Sequence, residues 1–169
     1  MNESIIPDSV SRRQFLKTAA LGSLGALILQ QQAQAYSLGD NARIITILGL
    51  VDITQSLADG DVTNNVYWFD NNRILGSQNE GTNVLSSKVK DGDIINWVVV
   101  GLEVETMVTI HKIEGSVIPI AAPAPDPTSP ISAWKGVVDT NLSGSFPYSI
   151  SLLVEDIIMP MTTALTLEL

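Results

Sequence analysis

Val89-Lys90-Asp91-Gly92-Asp93-Ile94-Ile95-Asn96-Trp97 is the stretch whose reading decides the fold. Asp91-Gly92-Asp93 is turn chemistry: glycine takes backbone conformations closed to other residues, and aspartate side chains bond back to nearby amides. The chain then runs from Ile94 to Val100 with Asn96 as its one polar residue, and Gly101 breaks the run. A β-branched apolar segment this short, bounded by turn signals, predicts a strand buried on both faces.

The same grammar extends in both directions. Arg43 to Val51 is an apolar, β-branched run closed by Asp52. Val66 to Phe69 is short and aromatic, and Asp70-Asn71-Asn72 turns it. Asn83 to Val89 leads into the deciding turn. Downstream, Val104 to Ile113 alternates, with Val104, Val108 and Ile110 on one face and Glu105, Thr109 and His111 on the other. Glu114-Gly115 is a turn, and Val117 to Ala121 a further strand. Ala122 to Pro130 is rich in proline and alanine. It reads as an extended connection, because proline cannot donate to a ladder. Ala133 to Val138 is a strand and Asn141 to Ser145 a loop. Tyr148, Ile150, Leu152 and Val154 then share one face, opposite Ser149 and Ser151. Glu155 to Pro160 reads as a turn, and Leu165, Leu167 and Leu169 form a last stripe. Gln55 to Ala58 has room for one helical turn.

Many short strands with turns at roughly 8–12-residue spacing predict an all-β fold. The expectation is an antiparallel β-sandwich of cupredoxin-like or jelly-roll-like Greek-key type. It occupies residues 36–169 as a single domain, preceded by an N-terminal signal segment over residues 1–35.

That segment opens with Ser11-Arg12-Arg13-Gln14-Phe15-Leu16-Lys17 and continues into an apolar run, Thr18 to Leu29. The run falls short of the roughly 20 apolar residues a spanning helix needs. Ala33-Gln34-Ala35 supplies the small residues of a peptidase site, so cleavage would leave Tyr36 as the new N-terminus. The string resembles a twin-arginine export signal, with Arg12, Arg13, Phe15 and Leu16 as its recognition residues and Ala33 and Ala35 at the cleavage site. The resemblance implies a periplasmic or secreted protein that folds before export. Its first partners would be the twin-arginine translocase and signal peptidase. An uncleaved anchor is the alternative.

Three of the nine basic residues and two of the eighteen acidic ones lie in this leader, leaving six against sixteen, a net of −10 for the mature part. Such a surface is a poor partner for nucleic acid, which needs clustered lysine and arginine. The mature domain is expected to be soluble and not to span the membrane. There is no cysteine. Type 1 copper, iron–sulfur, thiolate zinc and cysteine-nucleophile chemistry are thereby excluded, and no cofactor is expected.

The Gly92-Asp93-Ile94-Ile95-Asn96-Trp97 segment follows an early strand ending in aspartate, Ile47 to Asp52. After it come a long alternating strand, Met107 to Ile113, then Trp134-Lys135-Gly136, then Pro147-Tyr148-Ser149-Ile150-Ser151-Leu152. This succession resembles the PixA/AidA inclusion-body protein family and covers most of residues 44–154. The chain lacks the aromatic Asp-Pro ending associated with that family, and its leader is an addition. The resemblance implies a small β-sandwich and carries over no catalytic residues. A weaker resemblance to the cupredoxin sandwich implies a fold only, since a lone histidine, His111, leaves no copper site.

Among candidate chemistries, Asp59-Gly60-Asp61 and Asp91-Gly92-Asp93 could supply hard oxygens to calcium. Neither loop continues into an EF-hand, and ordinary turn chemistry explains both. Glu103 with Glu105, and Glu155 with Asp156, could be paired carboxylates for glycoside chemistry, or simply solvated faces. His111 on a polar strand face has no Gly-x-Ser-x-Gly elbow to serve. Trp68, Trp97 and Trp134 could form a sugar-stacking platform, with core packing the simpler reading for Trp97. The expected function is therefore non-enzymatic binding or self-association after export. The alternatives are an accessory subunit of a twin-arginine-exported redox or metal enzyme, and a calcium-dependent carbohydrate-binding module.

Overall fold

In the deciding segment, Gly92 takes φ 79°, which only glycine adopts without strain, and the strand it launches, β4 (Ile94–Gly101), lies inside a five-stranded sheet. The computed structural model describes residues 42–103, 105–115, 120–126, 133–138 and 143–169. Beside β4 runs β1 (Ile44–Val51), parallel to it, in register from Ile44 opposite Ile94 to Val51 opposite Gly101. β2 (Val66–Asp70) pairs antiparallel with β1, β7 (Ala133–Val138) with β4, and β6 (Ile120–Pro125) with β7. The first sheet is thus ordered β2-β1-β4-β7-β6.

The second sheet is ordered β3 (Ser86–Lys88), β10 (Leu165–Glu168), β8 (Ser145–Val154) and β5 (Val108–Glu114), with β9 (Ile157–Pro160) paired to β8 off that path. β3 and β10 are parallel; the other pairs are antiparallel. The all-β sandwich is as expected, and it is not a closed barrel. Its sheets are mixed, with two parallel pairings that an antiparallel reading does not contain. Alternation reports which face a residue takes and is blind to strand direction. The parallel pairs follow from the connections: the chain changes sheet between β2 and β3, β3 and β4, β4 and β5, β5 and β6, and β7 and β8.

The core lies between the sheets. Ile45, Ile47 and Val51 of β1 and Ile95, Trp97 and Val99 of β4 meet Tyr148, Ile150, Leu152 and Val154 of β8 and Leu165 and Leu167 of β10. Leu48, Leu50 and Val98, which alternate to the opposite side, are buried as well. That is why β1 and β4 read as continuous apolar runs. Trp97 donates through Nε1 to the Tyr148 hydroxyl at 3.1 Å, with the rings edge-on at 6.2 Å and 74°. An aromatic pair of this kind adds about 0.5–1.5 kcal/mol beyond its buried area. Burial drives the Tyr148 hydroxyl's pKa well up, the Trp97 hydrogen bond opposes this, and the Asp70 charge reinforces it.

Four local elements differ from expectation. The helix α1 (Ile53–Asp59) is longer than the single turn predicted, because Asp52 caps it by accepting from Gln55 N at 2.9 Å. Ala122 to Pro125 belongs to β6. There Ala122 and Pro123 sit opposite Gly136 at a register shift on an edge strand, a place where a missing N–H is tolerated. Ile157 to Pro160 is a strand, and the β8–β9 turn is confined to Glu155-Asp156, with Glu155 at φ 53°. In β5 the alternation breaks at His111, which bulges out so that Ile110 and Ile113 both reach the core.

Gly49 lies opposite Trp68 on the inner face. A Cβ placed there would stand 2.7 Å from Trp68 Cζ3, inside contact distance. Gly49→Ala is expected to destabilise the fold by about 1–3 kcal/mol through overpacking, read as a lowered urea midpoint. Adding Trp68→Phe should restore part of that loss, since the shorter ring vacates the contested space.

Candidate functional site

Asp93 is the most engaged carboxylate among the described residues. It is fully buried. Its Oδ1 accepts from Arg43 Nε at 3.0 Å and from Arg43 N at 3.3 Å. Its Oδ2 accepts from Arg43 Nη2 at 2.5 Å and from Lys90 N at 2.8 Å. Arg43 Nη1 reaches on to Asn72 Oδ1 at 3.4 Å, and Asn72 Nδ2 donates to Lys88 O. A bidentate guanidinium and two backbone amides satisfy both oxygens of the carboxylate. Asp93 thus does structural work at the entry to β4, and Asp91 beside it is exposed.

Asp59 and Asp61 are brought together at the other end of β1. Asp59 accepts from Gln55 Nε2 at 2.8 Å and Asn65 Nδ2 at 3.0 Å. Asp61 Oδ1 accepts from Thr63 N at 2.9 Å, and Asn65 Nδ2 also reaches Asp61 O at 3.0 Å. The bond from Thr63 N, aided by its side chain, holds the Asp61 pKa below the ordinary value, against a small opposing effect of burial. The two Asp-Gly-Asp loops therefore do not converge. The eight residues of β1 separate them, roughly 23 Å at about 3.3 Å per residue. No group of three or more metal-ligating side chains occurs among the described residues.

Glu103 has a role that its sequence position does not announce. It accepts from Ile53 N at 3.0 Å through Oε2 and from Thr54 N at 3.1 Å through Oε1. It therefore caps the first turn of α1 from a distant part of the chain. Burial pushes its pKa up, but the amides of Thr54 and Ile53 together outweigh that and leave it lowered. Glu105, Glu155, Asp156 and His111 are exposed. The tryptophans form no shared platform: Trp68 and Trp97 are fully buried, and Trp134 packs against the core while donating to Ile110 O at 3.2 Å. Arg12, Arg13, Phe15, Leu16, Ala33 and Ala35 lie outside the described residues. No helix among the described residues is long and apolar enough to cross a membrane.

What emerges is a β-sandwich whose polar side chains at the strand ends serve mainly to hold the strands in place. The chain belongs to the family described as "Domain of unknown function (DUF8788)", whose model matches residues 43–159. Among solved structures it is similar to the inclusion body protein PixA from Burkholderia cenocepacia J2315. The identity is 14%, the TM-score 0.55, and the match covers 77% of this chain and 94% of that one. The fold is thus PixA-like, as the spacing of Gly92 to Trp97, Trp134 and Tyr148 implied. A comparison with curated proteins found no match.

Two expectations follow from the capping and pairing. Asp93→Ala strands Arg43 without its partner and should cost about 3 kcal/mol, near the low end for a buried pair because Arg43 keeps 28% of its side chain exposed. Urea unfolding reads this directly. For Glu103, the folded pKa lies below the ordinary 4.5. Its contribution is complete above that value and is lost as pH falls through the folded pKa. Melting temperature against pH should therefore drop less steeply on the acid side in Glu103→Gln than in the parent.

Proposed function

We propose that this chain is an exported, non-enzymatic β-sandwich protein that acts by binding or self-association. Its PixA-like fold supports the architecture, and the structural duties of Asp93, Glu103, Asp59 and Asp61 support the non-enzymatic part. The observation that carries self-association is β9. This edge strand exposes Ile157 and Ile158 by half, and Met107, 75% exposed, lies at the same end of β8. An apolar edge strand with free backbone groups is a ready surface for another copy of the same chain.

The Ser11-to-Lys17 string and Ala33-x-Ala35 support export by the twin-arginine translocase, removal of residues 1–35 and a working protein in the periplasm or outside the cell. The absence of cysteine fits this route, because a domain with no disulfide to form can finish folding beforehand.

Sedimentation of the chain over a range of concentrations should show reversible assembly, and Ile158→Lys should weaken it several-fold without changing the melting temperature. A strict monomer at all concentrations would remove the self-association reading. Arg12→Lys combined with Arg13→Lys should leave the uncleaved protein in the cytoplasm; unchanged export would exclude the twin-arginine route.

A further inference from the structure

Three buried polar atoms have no hydrogen-bonding partner among the described residues: Trp68 Nε1, Asp70 Oδ2 and Ser87 Oγ. Orphaned groups of this kind are rare in folded proteins, and each costs free energy comparable to a lost hydrogen bond. These three belong to the two strands that end their sheets on the same side of the sandwich. Trp68 and Asp70 lie two apart on β2, opposite Gly49 and Ile47 of β1. Ser87 is the middle residue of β3 and is fully buried.

The chain ties these two edges together. Trp68 N donates to Thr82 O at 3.0 Å, and Gln78 and Ser86 exchange amide bonds at 2.8 and 3.0 Å. Asn72 Nδ2 donates to Lys88 O, and Lys88 N to Ser77 Oγ at 3.1 Å. Asp70 is two residues from Asn72, and Ser87 is next to Lys88, so both residues lie where the Asn72–Lys88 bond joins β2 to β3. Asp70 Oδ1 is already used by Asn72 N at 2.8 Å, which leaves Oδ2 as the free acceptor. The benzo ring of Trp68 is the part that packs over Gly49. Its Nε1 lies on the five-membered ring, the part of the indole farther from Gly49.

We propose that Trp68 Nε1, Asp70 Oδ2 and Ser87 Oγ together hold an ordered internal water between β2 and β3. The donor set selects this ligand class. An indole N–H must donate and a carboxylate oxygen must accept, while a hydroxyl can do either. Water meets all three demands at once. A metal cation cannot accept from the indole, and an anion would face the Asp70 charge. The water completes the hydrogen bonding of an edge that the backbone closes only through isolated bridges, and it joins β2 to β3 where the two sheets share no ladder.

The test is a water-selective NOE measurement on the full chain, with the Trp68 indole proton assigned through Trp68→Phe. The expected result is a cross-peak from long-lived water to that proton, weakened in Ser87→Ala, which removes one of the water's partners, but not abolished, because Trp68 and Asp70 still hold it. A missing cross-peak in the parent protein overturns the proposal. So does its loss in Ser87→Ala, which would assign the signal to the serine hydroxyl.

Discussion

The Asp93 carboxylate is the constraint on which the arrangement of strands depends. It sits one residue before β4, and Arg43, its partner, sits one residue before β1. The pair fixes the starting points of two parallel strands side by side, and Ile94 N bonds Arg43 O at 2.8 Å in the same place. Parallel strands have no hairpin to set their register, so something at their ends must. The same turn also receives β7, through Gly92 N to Val138 O and Val138 N to Asp93 O, both at 2.8 Å. Through Asn72 the network reaches the end of β2 and the carbonyl of Lys88 on β3. One buried ion pair thus aligns strands of both sheets. A charge taken fully out of water is expensive, and the fork geometry of Arg43 with the amide of Lys90 is what offsets that cost.

From that anchored end the sandwich is filled by size matching. Trp68 needs the space over Gly49, and Trp97 needs the hydroxyl of Tyr148 across the core. Both indoles are fully buried, and they differ in one respect: among the described residues Trp97 Nε1 has a partner and Trp68 Nε1 does not. The difference follows from position. Trp97 lies in the middle of the first sheet, facing β8, whereas Trp68 lies on the edge strand, where the opposing β3 has only three residues.

Much of this fold was legible in the residues. The runs Arg43 to Val51 and Ile94 to Val100, and the stripe Tyr148, Ile150, Leu152 and Val154, identify strands because a period of two needs nothing but the pleat to explain it. The spacing that resembled the inclusion-body family also led to the right architecture. What stayed hidden depends on contacts between distant segments. Nothing in Pro123 says that its missing N–H would fall at a bulge on an edge. Nothing in Glu103 says that it would cap a helix starting at Ile53, fifty residues earlier. Trp68, next to Phe69 and Asp70, reads as easily for a surface strand as for a buried one, and only Gly49 opposite it decides. The Asp-Gly-Asp pairs looked alike in sequence, yet Asp93 is locked to an arginine while Asp61 caps its own loop.

The same observations bear on how such a protein can act. Catalysis needs polar groups that are positioned yet still free to meet a substrate. Among the described residues, Asp93, Glu103 and Asn72 are engaged with protein partners at the strand ends, while Glu105, His111, Glu155 and Asp156 lie exposed on strands and turns. Fixing a new group among these would mean releasing one that holds a strand. The surface is under no such conflict. β9, with its backbone edge and its two exposed isoleucines, contributes little to the core beyond Met159, so it can meet another chain without disturbing what Asp93 and Arg43 hold in place.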